Sequence, residues 1–210
     1  MAPDLHGFIT QCLQVGKVLI PEGYEQTTKE QIQAYLTHMF QHPPAHDCLY
    51  PGATKLITKL QDQGHTVYLR SQTHNLTFQQ AKIAATAMQQ HISAKNIILA
   101  ENKILALIPI LNILPSDQKI VFFDDKISVL SQLESVATHG QKILLHCLHP
   151  NGGGENPGGS QYTTIQSFDE FLLHIPHEQS TIFLDVDRTL FNNEQFINNI
   201  ILDIQQFLKM

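Results

Sequence analysis

The chain predicts an α/β fold in which a parallel sheet is flanked by helices, with a small all-helical region beside it. Its middle alternates short apolar runs with helix-patterned segments, whereas its two ends read as helix alone. Runs such as Val121-Phe122-Phe123 and Ile182-Phe183-Leu184 are continuously apolar, as in strands covered on both faces. Strands separated by helices of this length pair in parallel through right-handed crossovers.

Taken in order, Leu5–Val18 and Thr28–Phe40 are helical candidates. His38, His42 and His46 recur every fourth residue, but Pro43 and Pro44 interrupt any helix that would align them, so a zinc site is disfavoured. Thr66–Arg70 reads as a strand and Thr77–Gln90 as a helix rich in Ala and Gln. Asn96–Leu99 is a short strand, and Lys103–Leu114 a helix bent or divided by Pro109. Lys119–Phe123 is the next strand, Lys126–Ala137 its helix, and Lys142–Leu148 a further strand. Asn151–Ser160 holds five glycines and reads as a surface loop or linker; no Lys follows to make a phosphate loop of it. Thr181–Leu184 closes the set of strands, and Gln195–Lys209 carries Phe196, Ile200, Ile204 and Phe207 on one helical face. The expected division is an α/β core over 47–190 and a helical region made of 191–210 with 1–46.

Composition sets outer limits on function. A chain of 210 residues can bury one proper core plus a small second unit. A formal charge of −6 with only 15% charged residues offers no basic stripe, so no nucleic-acid partner is expected. Cys12, Cys48 and Cys147 are odd in number and widely spaced, which suits thiols in a reducing compartment, and a cytoplasmic location is expected. No apolar run reaches the roughly 18–20 residues of a membrane span, so no membrane partner is expected, and the N-terminus lacks a signal-peptide core.

The segment Thr181–Leu190, TIFLDVDRTL, concentrates the chemistry. Asp185 falls where the strand stops, which is where open α/β sheets build their sites. With Asp187 two positions on, a turn could bring both carboxylates to one ligand, one as nucleophile or metal ligand and the other handling protons. A calcium loop is excluded, since it needs Gly at its sixth position and Glu at its twelfth, where this chain has Leu190 and Phe196. A bland strand end whose two Asp merely start a turn is the other reading, and the buried run before it and Thr189-Leu190-Phe191 after it weigh against that. Arg188 is read as a surface contact.

This segment resembles the first motif of the haloacid dehalogenase-like superfamily, most of whose members are phosphohydrolases. Val67-Tyr68-Leu69-Arg70-Ser71 is similar to its second motif, a strand ending in Ser or Thr. Val121-Phe122-Phe123-Asp124-Asp125 is similar to its fourth, a strand ending in paired acids. Lys103, 21 residues before Asp124, is the candidate for the third-motif lysine, with Lys95 as a rival. The resemblance implies a Rossmann-like core and a small α-helical cap that helps choose the substrate. It implies Mg²⁺ held by Asp185, Asp187 through its backbone carbonyl, Asp124 and Asp125. It implies Asp185 as the nucleophile that forms an aspartyl-phosphate, Asp187 as acid and base, Ser71 as a donor to phosphate, and Lys103 as the offsetting positive charge. The implied substrate is a phosphorylated small molecule or a phosphorylated protein side chain.

The order of the motifs departs from the family's, because Ser71, Lys103 and Asp124/Asp125 all precede Asp185/Asp187. Circular permutation is the simplest explanation, with the family's usual ends joined near Ile175–Gln179; a domain-swapped dimer competes with it, so monomer and swapped dimer are both carried. Three rival functions fit the residues less well. A receiver domain would need permutation as well and leaves Asp187 without a task. A dehalogenase needs neither Mg²⁺ nor the second acid. A non-catalytic scaffold of this fold would not require every expected carboxylate.

Overall fold

A computed structural model describes residues 34, 38, 48–74, 76–86, 88–136, 140–148 and 161–207. The expected helix over Leu5–Val18, most of Thr28–Phe40, the positions His42, His46 and Cys12, and the glycine-rich Asn151–Ser160 lie outside the described residues; within Thr28–Phe40, Ala34 and His38 are helical.

Six strands form one sheet: β1 Thr66–Gln72, β2 Ile97–Ala100, β3 Lys119–Asp124, β4 Gln141–Cys147, β5 Thr163–Ile165 and β6 Ser180–Asp185. Their spatial order is β2-β1-β6-β3-β4-β5, and every pairing is parallel. The fold class is therefore the expected Rossmann-like α/β sheet. Counted from β6, the order reads 3-2-1-4-5-6, the doubly wound arrangement of two βαβαβ halves. Its switch point lies between β6 and β3, which pair from Lys119 with Ser180 to Phe123 with Leu184. The last strand of the chain is thus at the centre of the sheet, buried along its whole length.

Helices cover both faces, as the continuous apolar strands require. On one face the 3₁₀ turn Leu105–Leu107 and the helices Ile108–Leu111 and Ile127–Val136 pack Leu107, Leu111, Leu130 and Leu133 onto Ile120, Phe122 and Phe183. On the other, Phe171 of the helix Phe168–Leu173 meets Phe123 at a ring-centroid distance of 4.5 Å. The helix Ala53–Asp62 buries Ala53, Leu56, Ile57 and Leu60, and stops at Gly64, whose φ of 85° lets the His65 N–H reach back to the Leu60 carbonyl at 3.1 Å.

Several boundaries differ from expectation. The helix expected over Thr77–Gln90 is two, Leu76–Ala85 and Met88–His91. The one expected over Lys103–Leu114 is a 3₁₀ turn followed by a single α-turn that opens with Pro109 in its first turn, where a missing N–H costs nothing. The strand β5 and the helix Phe168–Leu173 were not anticipated. The described chain divides into two compact units. One contains Leu49–Thr73 and Ala87–Asn192, hence the whole sheet; the other holds, of the described residues, Ala34, His38, Cys48, His74, Thr86 and the helices Leu76–Ala85 and Asn193–Phe207. No described helix is long and apolar enough to cross a membrane.

Candidate active site

The carboxyl ends of β6 and β3 and the turn after β2 bring four of the six sequence-selected side chains into direct contact or close approach. Asp185 ends β6 and Asp124 ends β3, one on each side of the switch point. Ligand oxygens of Asp124, Asp125 and Asp185 all lie within 4.8 Å of one another, and all three residues are buried. Three hard, anionic oxygen donors at that spacing suit a divalent cation such as Mg²⁺ far better than a soft metal.

Lys103 bridges the switch point. Its Nζ donates to Asp185 Oδ1 at 2.5 Å and to Asp124 Oδ2 at 2.7 Å. It is set there by the turn after β2, in which Asn102 Oδ1 accepts the N–H groups of Ile104 and Leu105 at 3.0 Å each. Lys95, the rival candidate, is exposed in the 3₁₀ turn Ala94–Asn96.

The other two selected residues meet each other. The Ser71 hydroxyl donates to Asp187 Oδ2 at 2.7 Å, across a sequence separation of 116. This becomes possible because the chain turns back at once after β6: the N–H groups of Leu190 and Phe191 both reach the Val186 carbonyl, at 3.0 and 2.9 Å, and the Arg188 N–H reaches the Phe191 carbonyl at 2.8 Å. That is the turn the spacing of Asp185 and Asp187 demanded. It holds Arg188 at φ 61°, a left-handed conformation uncommon for any residue but Gly, Asn or Asp. The Arg188 side chain is exposed, as expected, and its charge is felt at Asp125.

Sequence reasoning passed over Arg70, His146 and Cys147. Arg70 is wholly buried, and its Nη2 donates to Asp124 Oδ2 at 2.6 Å. A lone Arg inside an otherwise uncharged strand was the available signal. His146, paired with Asp124 in the β3–β4 register, donates from Nε2 to the backbone carbonyl of Asp125 at 3.2 Å, which fixes its tautomer and the carbonyl's orientation. Cys147 is buried beside the acids with Thr189 as a hydrogen-bonding neighbour, and burial together with Asp125 pushes its thiol far up, leaving it a poor nucleophile.

Electrostatics separate the three carboxylates. Burial opposes ionisation of Asp124, but Arg70 and Lys103, with the Lys126 N–H at 2.8 Å from Oδ1, outweigh it and hold its carboxyl below the usual range. At Asp125 the balance is reversed: burial and the adjacent Asp124 charge outweigh Lys103, Lys126 and Arg188 and push it up to about 7. Burial and Asp124 also push Asp185 up, with Lys103 and Arg70 pulling the other way. Burial works against the charge on Lys103, yet Asp185 and Asp124 outweigh it and keep the ammonium protonated. Arranged so, the cluster can bind a divalent cation, place one carboxylate as a nucleophile beside an ammonium, and keep a second acid, Asp187, on a hydroxyl nearby.

No protein-family model matches the chain, and no match to a curated protein was found. Among solved structures it is similar to a protein from Burkholderia xenovorans LB400 described as a haloacid dehalogenase-like hydrolase. The similarity has 18% identity and a TM-score of 0.47, and covers 84% of this chain and 68% of the other. A likeness that loose carries no functional weight, and the fold class rests on the order and direction of the six strands themselves.

Proposed function

We propose that the chain is a Mg²⁺-dependent phosphohydrolase that cleaves phosphate monoesters through an aspartyl-phosphate on Asp185. The observation that carries this reading is the buried trio Asp124, Asp125 and Asp185 at the switch point, with Lys103 bridging two of them. In this reading Asp185 attacks phosphorus while Asp187 protonates the leaving oxygen. Asp187 then takes the proton of the water that hydrolyses the acyl phosphate. Ser71, which donates to Asp187 in the free chain, turns its hydroxyl to a phosphate oxygen when substrate enters. Lys103 holds positive charge beside the nucleophile throughout. Asp124, Asp125, Asp185 and the Asp187 carbonyl would hold Mg²⁺, which when bound offsets the repulsion between a carboxylate nucleophile and an anionic phosphate.

The same reading takes the chain as a circular permutant of the haloacid dehalogenase-like arrangement, supported by a sheet order that becomes doubly wound only when counted from β6. Residues 1–46 and 191–210 are assigned the part of a cap that chooses between small-molecule and protein-borne phosphates. The test is hydrolysis of an aryl phosphate by the purified chain with and without Mg²⁺, beside Asp185→Asn. Activity that needs Mg²⁺ and falls by about 10³-fold or more in the variant is expected, since the nucleophile itself is lost. Activity insensitive to both would overturn the reading.

A further inference from the structure

Arg70 is an odd residue for its position. Fully buried guanidinium groups persist when their donors are met, yet among the described residues Asp124 satisfies Nη2 of Arg70 while Nε and Nη1 find no hydrogen-bond partner. The group lies 6.0 Å from the Phe122 ring centroid and stands in register with Asp185 on the central strand. As a purely structural element it is poor, because an apolar residue of similar size would fill a strand covered on both faces without leaving donors stranded. Its charge is the property that distinguishes it from such a residue.

The charge matters through its sum with its neighbours. Three carboxylates face two buried cations: Lys103 bridges Asp124 and Asp185, and Arg70 pairs with Asp124. With all three acids ionised the cluster is one negative charge in excess, and a divalent cation would leave it one positive charge in excess. Without Arg70 the same cation would bring it only to neutrality. We propose that Arg70 is an internal counter-cation which weakens divalent-cation binding by the carboxylate trio and in exchange leaves the loaded site one charge more positive, favouring an incoming phosphate. It acts through Asp124 and so is a positioning residue, not a catalytic one. The proposal rests on the metal-dependent reading above.

The test is calorimetric titration of the full chain with Mg²⁺, followed by titration of the Mg²⁺-saturated protein with inorganic phosphate, for wild type, Arg70→Gln and Arg70→Lys. Gln removes the charge and can still donate to Asp124; Lys keeps the charge. The Mg²⁺ Kd should fall roughly tenfold in Arg70→Gln, the scale on which one neighbouring charge shifts a carboxylate's protonation, while phosphate binds correspondingly more weakly. Arg70→Lys should stay within about twofold of wild type on both counts, by the same charge argument. If Arg70→Gln does not fold, Arg70→Met, which fills the space without a polar group, takes its place. Wild-type binding of Mg²⁺ with unchanged or weaker binding in the neutral variant overturns the inference alone. Equal behaviour of the Gln and Lys variants does the same, since it would indicate a packing role. Failure of the wild type to bind Mg²⁺ overturns this inference and the metal-dependent reading together.

Discussion

The surroundings of Asp125 oppose its ionisation. Its carboxyl is pushed up to about 7 in the folded chain by burial and by Asp124, against an ordinary value of 3.8. Between those two values the folded state binds a proton that the unfolded state has released, so stability declines as pH rises through that window and is lowest above it. In metal-free buffer Asp125→Asn should therefore raise stability at pH 8 by up to about 4 kcal/mol and change little at pH 4, measured by denaturant unfolding. Equal effects at both pH values would mean the repulsion is not what destabilises the site. The acids themselves were legible in the sequence because each ends an apolar run, and a carboxylate at a strand's carboxyl end has few uses apart from a site. Lys103 could be separated from Lys95 only by structure: one is 3% exposed between two acids, the other lies on the surface. Arg70 was not legible as a participant, because its partner lies 54 residues away and no local spacing reveals it.

At the level of single elements, the sheet is tied together across the switch point by stacked rings. Tyr68 on β1, Phe183 on β6 and Phe122 on β3 stand in register, with centroids 5.0 and 5.1 Å apart. Phe183 is the shared member and is fully buried. Phe183→Ala should cost about 3–5 kcal/mol in unfolding free energy, as for other large-to-small changes in a core, and would loosen the two strands that carry Asp185 and Asp124. The long central strands were readable from their apolar continuity. The three-residue β5 was not, since Thr163-Thr164-Ile165 is too short to show a period. The helix after it did leave a mark: Ser167-Phe168-Asp169-Glu170 has the Ser-x-x-Glu spacing of a capped start, and the Glu170 N–H meets Ser167 Oγ at 3.1 Å. Ser167→Ala should lower stability by about 1 kcal/mol without altering the site, a change visible in thermal unfolding and absent from Mg²⁺ titration.

For the molecule as a whole, local pattern gave the strands and motif resemblance suggested which belonged side by side, but only the folded sheet shows the final strand of the chain seated between β1 and β3. One consequence is that the two ends of the sheet respond to pH in opposite senses. At the start of β6 the Ser180 N–H donates to Nδ1 of His65, which is only 6% exposed and whose ring burial makes harder to protonate than the ordinary 6.5. Below 6.5 the unfolded chain takes up a proton that folded His65 resists, so this contribution is complete above 6.5 and is lost as pH falls. At the carboxyl end of the sheet Asp125 does the reverse, adding stability as pH falls from about 7 toward 4. Below the ordinary histidine value of 6.5 the two slopes oppose each other in the wild type. Thermal unfolding of His65→Asn, whose amide oxygen can take the place of Nδ1 as acceptor, should show stability that rises more steeply on acidification than in the wild type. Asp125→Asn should show the opposite, a stability that rises less on acidification than in the wild type, because the Asp125 slope has been removed. If both variants moved the profile in one direction, the assignment of at least one of these groups to its end of the sheet would be wrong. If each moved it as stated, the neutral-pH stability of the apoprotein is a balance between a buried base at one end of the sheet and an overcharged acidic cluster at the other.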